Sequence, residues 1–177
     1  MSWKLRVPAS SANLGPGFDA LGLALDLHLN CTVTPAPSLS ITVSGVDADQ
    51  IPSDESNLIW QTALRVGRDA GKPLPPIRLE IDNEIPLGKG LGSSAAALTA
   101  GIVIGSQLLN LNWSRHRILD EGARMEGHPD NVDACVLGSI VASSIDSAGR
   151  THAVRLELPS NYEIAVVVPD FPLPTAQ

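Results

Sequence analysis

Aromatic side chains are nearly missing from this chain: three Trp, two Phe and one Tyr make up 3% of its 177 residues. A core organised around large rings is thereby excluded, and Leu, Ile, Val and Ala must fill it. Cysteine is as scarce, with Cys31 and Cys135 far apart in sequence. Buried thiols are expected rather than a zinc site, a nucleophile or a disulfide framework. Positive charge is also short, with 12 Lys plus Arg against 19 Asp plus Glu and a net charge of −7. Such a balance argues against gripping nucleic-acid backbones or anionic membranes, so any bound phosphate must rely on backbone amides and a metal. No apolar run is long enough to cross a bilayer, because the longest, residues 95–111, is broken by Thr99, Gly101, Gly105, Ser106, Gln107 and Asn110. Met1 to Val7 contains no apolar secretory core, and a cytoplasmic location is expected. His28, His116 and His152 lack metal-ligand spacing.

What the chain does have is 44% hydrophobic residues, 15 Gly and 14 Pro: enough apolar surface for a real core, joined by many tight turns. Leu5 and Val7 alternate with Lys4 and Arg6, predicting a short strand ended by Pro8 and followed by a small-residue loop to Gly17. Alternation over Leu27–Val33 and again at Ile41 and Val43 predicts two antiparallel strands around the Pro35-Ala-Pro37 turn. Asn57–Ala70 reads as an amphipathic helix stopped at Gly71, and Ile77–Asp82 as a half-buried strand. A long helix over Ser93–Leu109, a helix capped by Ser114 and running to Glu126, and a short one over Asn131–Leu137 follow. Ile140–Ile145 and Ala153–Leu158 flank an Asp146-Ser-Ala-Gly149 turn, and Tyr162–Val168 reads as a final buried strand. The class is α+β, a mainly antiparallel sheet packed on a helical cluster, in one domain over residues 1–177.

Three stretches carry chemistry. In Pro86-Leu-Gly-Lys-Gly-Leu-Gly-Ser-Ser94, three glycines let backbone N–H groups approach an anion just where a helix begins, a setting that suits a polyphosphate. Lys89 is followed by Gly90, so this is not the common P-loop, and the G-x-G-x-G spacing is not a dinucleotide fingerprint. A flexible turn before a helix is the structural alternative. Glu126-Gly-His-Pro-Asp-Asn131 packs two carboxylates, an imidazole and an amide into six positions. Glu126 with a hydroxyl such as Ser94 makes an oxygen pair for Mg²⁺; Asp130 serves equally well as a helix N-cap. Pro8-Ala-Ser-Ser-Ala-Asn-Leu-Gly-Pro-Gly-Phe-Asp19 is a polar loop with almost no bulk, readable also as a tight surface turn.

Together the three stretches resemble the homoserine kinase family of the GHMP small-molecule kinase superfamily, in the same order and over nearly the whole chain. The resemblance implies the superfamily's N-terminal ATP-binding domain, with a ribosomal-protein-like fold. It also implies Mg²⁺- and ATP-dependent phosphorylation of the side-chain hydroxyl of L-homoserine, a step of threonine biosynthesis. It puts the ATP phosphates in the loop of Pro86, Leu87, Gly88, Lys89, Gly90, Leu91, Gly92, Ser93 and Ser94. Asn57 falls near the adenine, Mg²⁺ on Ser94 and Glu126, and L-homoserine among Asn13, Asp19, His128, Asp130 and Asn131. Asp130, Lys89 and Thr175 are the implied catalytic residues, Lys89 and the loop amides neutralising charge in a loose transition state. A small-molecule substrate is the implied partner, with a homodimer open. The sequence ends at Gln177, where the family continues into a second α/β domain, and no arginine stands out as a clamp for the substrate carboxylate. An incomplete or non-catalytic nucleotide-binding module, or a GHMP kinase for another alcohol, is the alternative. Gly138-Ser139 stands where the family has Gly-Gly.

Overall fold

The computed structural model describes residues 1–159, 161 and 163–168. Six strands, β1 (Trp3–Ala12), β2 (Leu21–Pro35), β3 (Ser40–Gly45), β4 (Ile77–Asn83), β5 (Ile140–Ile145) and β6 (Thr151–Leu156), form one sheet. Four helices, α1 (Leu58–Asp69), α2 (Ser93–Leu108), α3 (Arg115–Glu126) and α4 (Asp130–Leu137), complete it. The sheet order is β3-β4-β2-β5-β6, with β1 also paired to β2. Every pairing is antiparallel except β3 with β4, so the α+β reading holds.

Three strand expectations are corrected. The stretches around Leu29 and Ile41 are not antiparallel neighbours, because β4 lies between them and runs parallel to β3. The segment joining β3 to β4 contains α1, and a helical crossover brings two strands together in parallel where a hairpin cannot. The first strand does not end at Pro8: it continues to Ala12 after a register shift between Pro8 and Ala9. A proline removes one ladder donor, and a strand with an irregularity at that point tolerates the loss. Finally, residues 163–168 form no strand and are exposed, Val167 at 90%; Tyr162 lies outside the described residues. Smaller shifts are one or two residues at β6 and at the start of α4.

Helix α2 is the centre of the packing. Ten of its sixteen residues are buried, as expected of a helix apolar on all sides, and it contacts α1, α3, α4, β1 and β2. Alternation in β4 sends Ile77, Leu79 and Ile81 into the same core. Helix α4 lies against β2 at Gly22, where a Cβ would stand 2.0 Å from the carbonyl oxygen of Asp130. Only a residue without a side chain lets the first turn of α4 come this close to the sheet.

Candidate active site

The glycine-rich loop is held at its entrance from two directions. Asn83, buried at the end of β4, donates to the carbonyls of Val46 at 2.7 Å and Ile85 at 2.9 Å, and accepts from the Ile85 N–H at 3.2 Å. Asp47, itself in the left-handed region at φ 53°, accepts the Leu87 N–H on Oδ2 at 2.9 Å. Beyond this anchor Gly88, Gly90 and Gly92 have φ of 63°, 71° and 67°, a conformation costly for any other residue. Gly92 is also the N-cap of α2, and no side chain caps that helix. Its terminal donors and positive dipole end therefore serve whatever occupies the loop.

Two hollows meet at Ser93 and Ser94. A cleft of about 340 Å³ is lined by Ala12, Asn13, Gly88, the stretch from Gly90 to Ala95, Glu126, His128 and Asn131. A mostly apolar pocket of about 240 Å³ lies on the other side, walled by Leu29, Ile51, Pro52, Ile59, Ile81, Leu87 and Ala97. An apolar slot beside an anion-binding helix start is the arrangement that a nucleotide needs, with base in one and phosphates in the other. Asn57 lines the slot, yet its amide is spent on the protein: Nδ2 donates to the Pro52 carbonyl at 2.7 Å and Oδ1 accepts from Ile59 N–H at 3.0 Å. It shapes the wall and caps α1.

The third motif folds into a carboxylate–imidazole pair. Asp130 Oδ1 lies 2.7 Å from His128 Nδ1 and accepts the Asn131 N–H at 2.8 Å. Helix α4 starts at Asp130 with Pro129 as N-cap, so Asp130 is a buried first-turn residue. It is 1% exposed and does not line the cleft, whereas His128 does. Burial holds the Glu126 carboxyl above the usual range; His128 opposes this shift and Asp130 adds to it. A carboxylate in that situation is receptive to a hard cation, and with the exposed Ser94 hydroxyl it supplies oxygen donors of the kind Mg²⁺ takes.

Of the residues anticipated from sequence, Asn13, Gly88, Gly90, Leu91, Gly92, Ser93, Ser94, Glu126, His128 and Asn131 share the cleft. Asp19 is exposed, and its N–H is held by Asn13 Oδ1 at 2.9 Å in a turn where both residues have positive φ. Pro86 and Lys89 are half-buried in the loop. Thr175 lies outside the described residues. No arginine lines the cleft among the described residues. Cys31 and Cys135 are free buried thiols, both pushed up to about 12 by burial, as their scarcity suggested. Ser139 keeps the turn at φ 63° without glycine, and its hydroxyl donates to Leu156 O at 2.7 Å. Sequence reading missed Asp47 and Ser10; an acid 40 positions before Leu87 carries no local signal.

Comparison with known proteins fits this geometry. The family described as GHMP kinases N terminal domain matches residues 57–139. Homoserine kinases from Solibacter usitatus and Deinococcus radiodurans are 66% and 47% identical over 99% and 98% of this chain, which covers 58% and 56% of theirs. A homoserine kinase structure from Cytophaga hutchinsonii, 32% identical, superposes with a TM-score of 0.69 over 90% of this chain and 53% of its own. The chain thus spans a little over half the length of the curated relatives it matches. No helix among the described residues is long and apolar enough to cross a membrane. On the matched domain, the shared fold and the glycine loop with its cleft, the chain is similar to the GHMP kinases, in the part corresponding to the N-terminal domain of homoserine kinases.

Proposed function

We infer that this chain carries the nucleotide- and acceptor-binding machinery of a kinase that transfers the γ-phosphoryl group of ATP to the side-chain hydroxyl of L-homoserine. The product is O-phospho-L-homoserine, an intermediate of threonine biosynthesis in the cytoplasm. One observation carries the reading: an apolar slot and an amide-lined phosphate cleft meet at Ser93 and Ser94, and the far side of that cleft is built from Glu126, His128 and Asn131. The homoserine kinases at 66% and 47% identity supply the acceptor.

Phosphoryl transfer through a loose transition state asks mainly for positioning and charge neutralisation. The apolar slot takes the adenine. The loop from Pro86 to Ser94, with Lys89, surrounds the phosphates, its amides and the α2 dipole answering their charge. Mg²⁺, when bound through Ser94 and Glu126, would neutralise charge on the phosphates. Asp130 holds His128 at Nδ1, leaving Nε2 as the nitrogen that receives a hydrogen bond from the acceptor hydroxyl. Asn131 faces the same cleft. Asp19 is the anion available for the substrate ammonium, and the family resemblance assigns Thr175 to the transferred group.

A coupled ADP-release assay on this chain joined to the C-terminal part of the Solibacter usitatus relative, offered homoserine, shikimate or mevalonate, tests the acceptor. Turnover of another alcohol with homoserine ignored would refute it. The absence of an arginine from the cleft's described lining favours a second reading for the isolated chain, a nucleotide-binding module that binds Mg·ATP without transferring it; calorimetric ATP binding without ADP release is its signature.

A further inference from the structure

Three motifs converge on one hydroxyl. The register of β1 shifts between Pro8 and Ala9, and Ala9 and Ser10 are then both fully buried at consecutive positions. Alternation alone would give them opposite faces; Ala9 packs in the core and Ser10 points to α4. There its Oγ donates to Asn131 Oδ1 at 2.8 Å. Its backbone N–H donates to the Leu91 carbonyl at 3.1 Å, and Gly92 lies so near that a Cβ on it would stand 2.0 Å from Ser10 Oγ. Cys135, one turn along α4 from Asn131, closes the remaining side with its thiol 3.7 Å from Oγ and 3.3 Å from the Pro8 carbonyl.

We propose that Ser10 is the positioning residue for Asn131, fixing its amide so that Nδ2 rather than Oδ1 faces the cleft and meets an oxygen of the bound ligand. An asparagine has one carbonyl acceptor and two N–H donors. With Ser10 donating, the carbonyl is turned inward and the donors are left for the cleft. On this side of the cleft Glu126 and His128 carry acceptor atoms, and Asn131 adds a neutral donor opposite those of Asn13, Ser93 and Ser94. Reversed, the amide would add a second partial negative charge beside Glu126, where a phosphate or hydroxyl oxygen must come. Because Ser10 also touches the glycine loop, one residue sets the distance between the loop and α4. The identity of the ligand oxygen rests on the kinase reading; the positioning does not.

The test is a ¹⁵N–¹H spectrum of the side-chain amides of this chain, the Asn131 pair being the one lost in Asn131→Asp. In Ser10→Ala that pair should move, and its protons should exchange with solvent about tenfold faster as the amide is released. Titration with Mg·ATP should shift the pair in the wild type and shift it less in the variant. An Asn131 pair that stays in place in folded Ser10→Ala overturns the proposal. If Ser10→Ala does not fold, Ser10→Cys, similar in bulk with a weaker donor, gives the same comparison at smaller amplitude, and an unmoved pair overturns it there too. Failure of Mg·ATP to bind the wild type would instead remove the kinase reading and leave the Ser10 comparison standing.

Discussion

Asp133 is fully buried in α4, and neither of its carboxylate oxygens has a hydrogen-bond partner among the described residues. Burial is the main reason its carboxyl is pushed up from 3.8 to about 7; the nearby Ser143 hydroxyl, not placed for a proper hydrogen bond, is the next influence and pulls against it, and the smaller effects of the Asp130 and Asp120 charges add to the rise. Between these two pH values the unfolded chain has released the proton and the folded chain has kept it. Stability must therefore fall as pH rises through that window and level off above it. At 1.36 kcal/mol per pH unit the full span corresponds to about 4 kcal/mol. A side-chain amide at this position would keep the shape without the charge, so Asp133→Asn should stabilise the fold at pH 8 by about 2–4 kcal/mol and make almost no difference at pH 4. For a chain of this length that is a rise in Tm of about 4–16 °C. Urea unfolding of both proteins at pH 4, 5, 6, 7 and 8 measures the difference directly, and comparison of the pair cancels the other carboxylates. A variant advantage that does not grow with pH, or a variant less stable than wild type at pH 8, would refute the assignment of a buried, protonated Asp133.

Four further outcomes are expected. Gly90→Ala meets open space but must keep φ at 71°, so it should lower Tm by a few degrees, about 1–2 kcal/mol, while ATP affinity measured by calorimetry falls disproportionately. Gly92→Ala should destabilise more, because its Cβ would strike Ser10 Oγ; the neutral or stabilising effect that helix propensity alone gives to alanine near a helix start is not expected there. Glu126→Gln should weaken Mg·ATP binding about tenfold or more, 1.4 kcal/mol, with the melting temperature unchanged or raised, since burial already disfavours the charge. Asp47→Ala should release the Leu87 N–H, with faster amide exchange there and an ATP affinity reduced by about tenfold or more, the lower end of about 1.5–3 kcal/mol for a hydrogen bond to a charged group.

The glycine loop was legible in sequence because its requirement is local: positive φ at Gly88, Gly90 and Gly92 demands glycine wherever the chain goes next. The cap of α3 was legible for the same reason, Ser114 Oγ accepting the Arg117 N–H at 3.2 Å, whereas Asn57, read as the first residue of α1, is its cap, with Oδ1 accepting the Ile59 N–H. Strand neighbours were not. Alternation in Leu27–Val33 and Ile41–Val43 states which face is buried, and β4 enters between those strands through a crossover that periodicity does not encode. Ser10 and Asp47 were missed because their partners stand 121 and 40 positions away. Asp130 was identified as chemically important, but its place behind His128 depends on where α4 begins, which sequence put one residue late.

The close approach of Gly22 to the Asp130 carbonyl has an evolutionary side. A backbone atom, not a side chain, is what the first turn of α4 rests on, so this contact does not depend on which side chains flank it at 128 and 131. Exchange of His128 or Asn131 leaves this backbone contact in place, whereas almost any replacement of Gly22 shifts the whole turn. Substitutions that reshape the cleft are thereby expected at the half-buried positions facing it, while Gly22 beneath them has no room for a side chain.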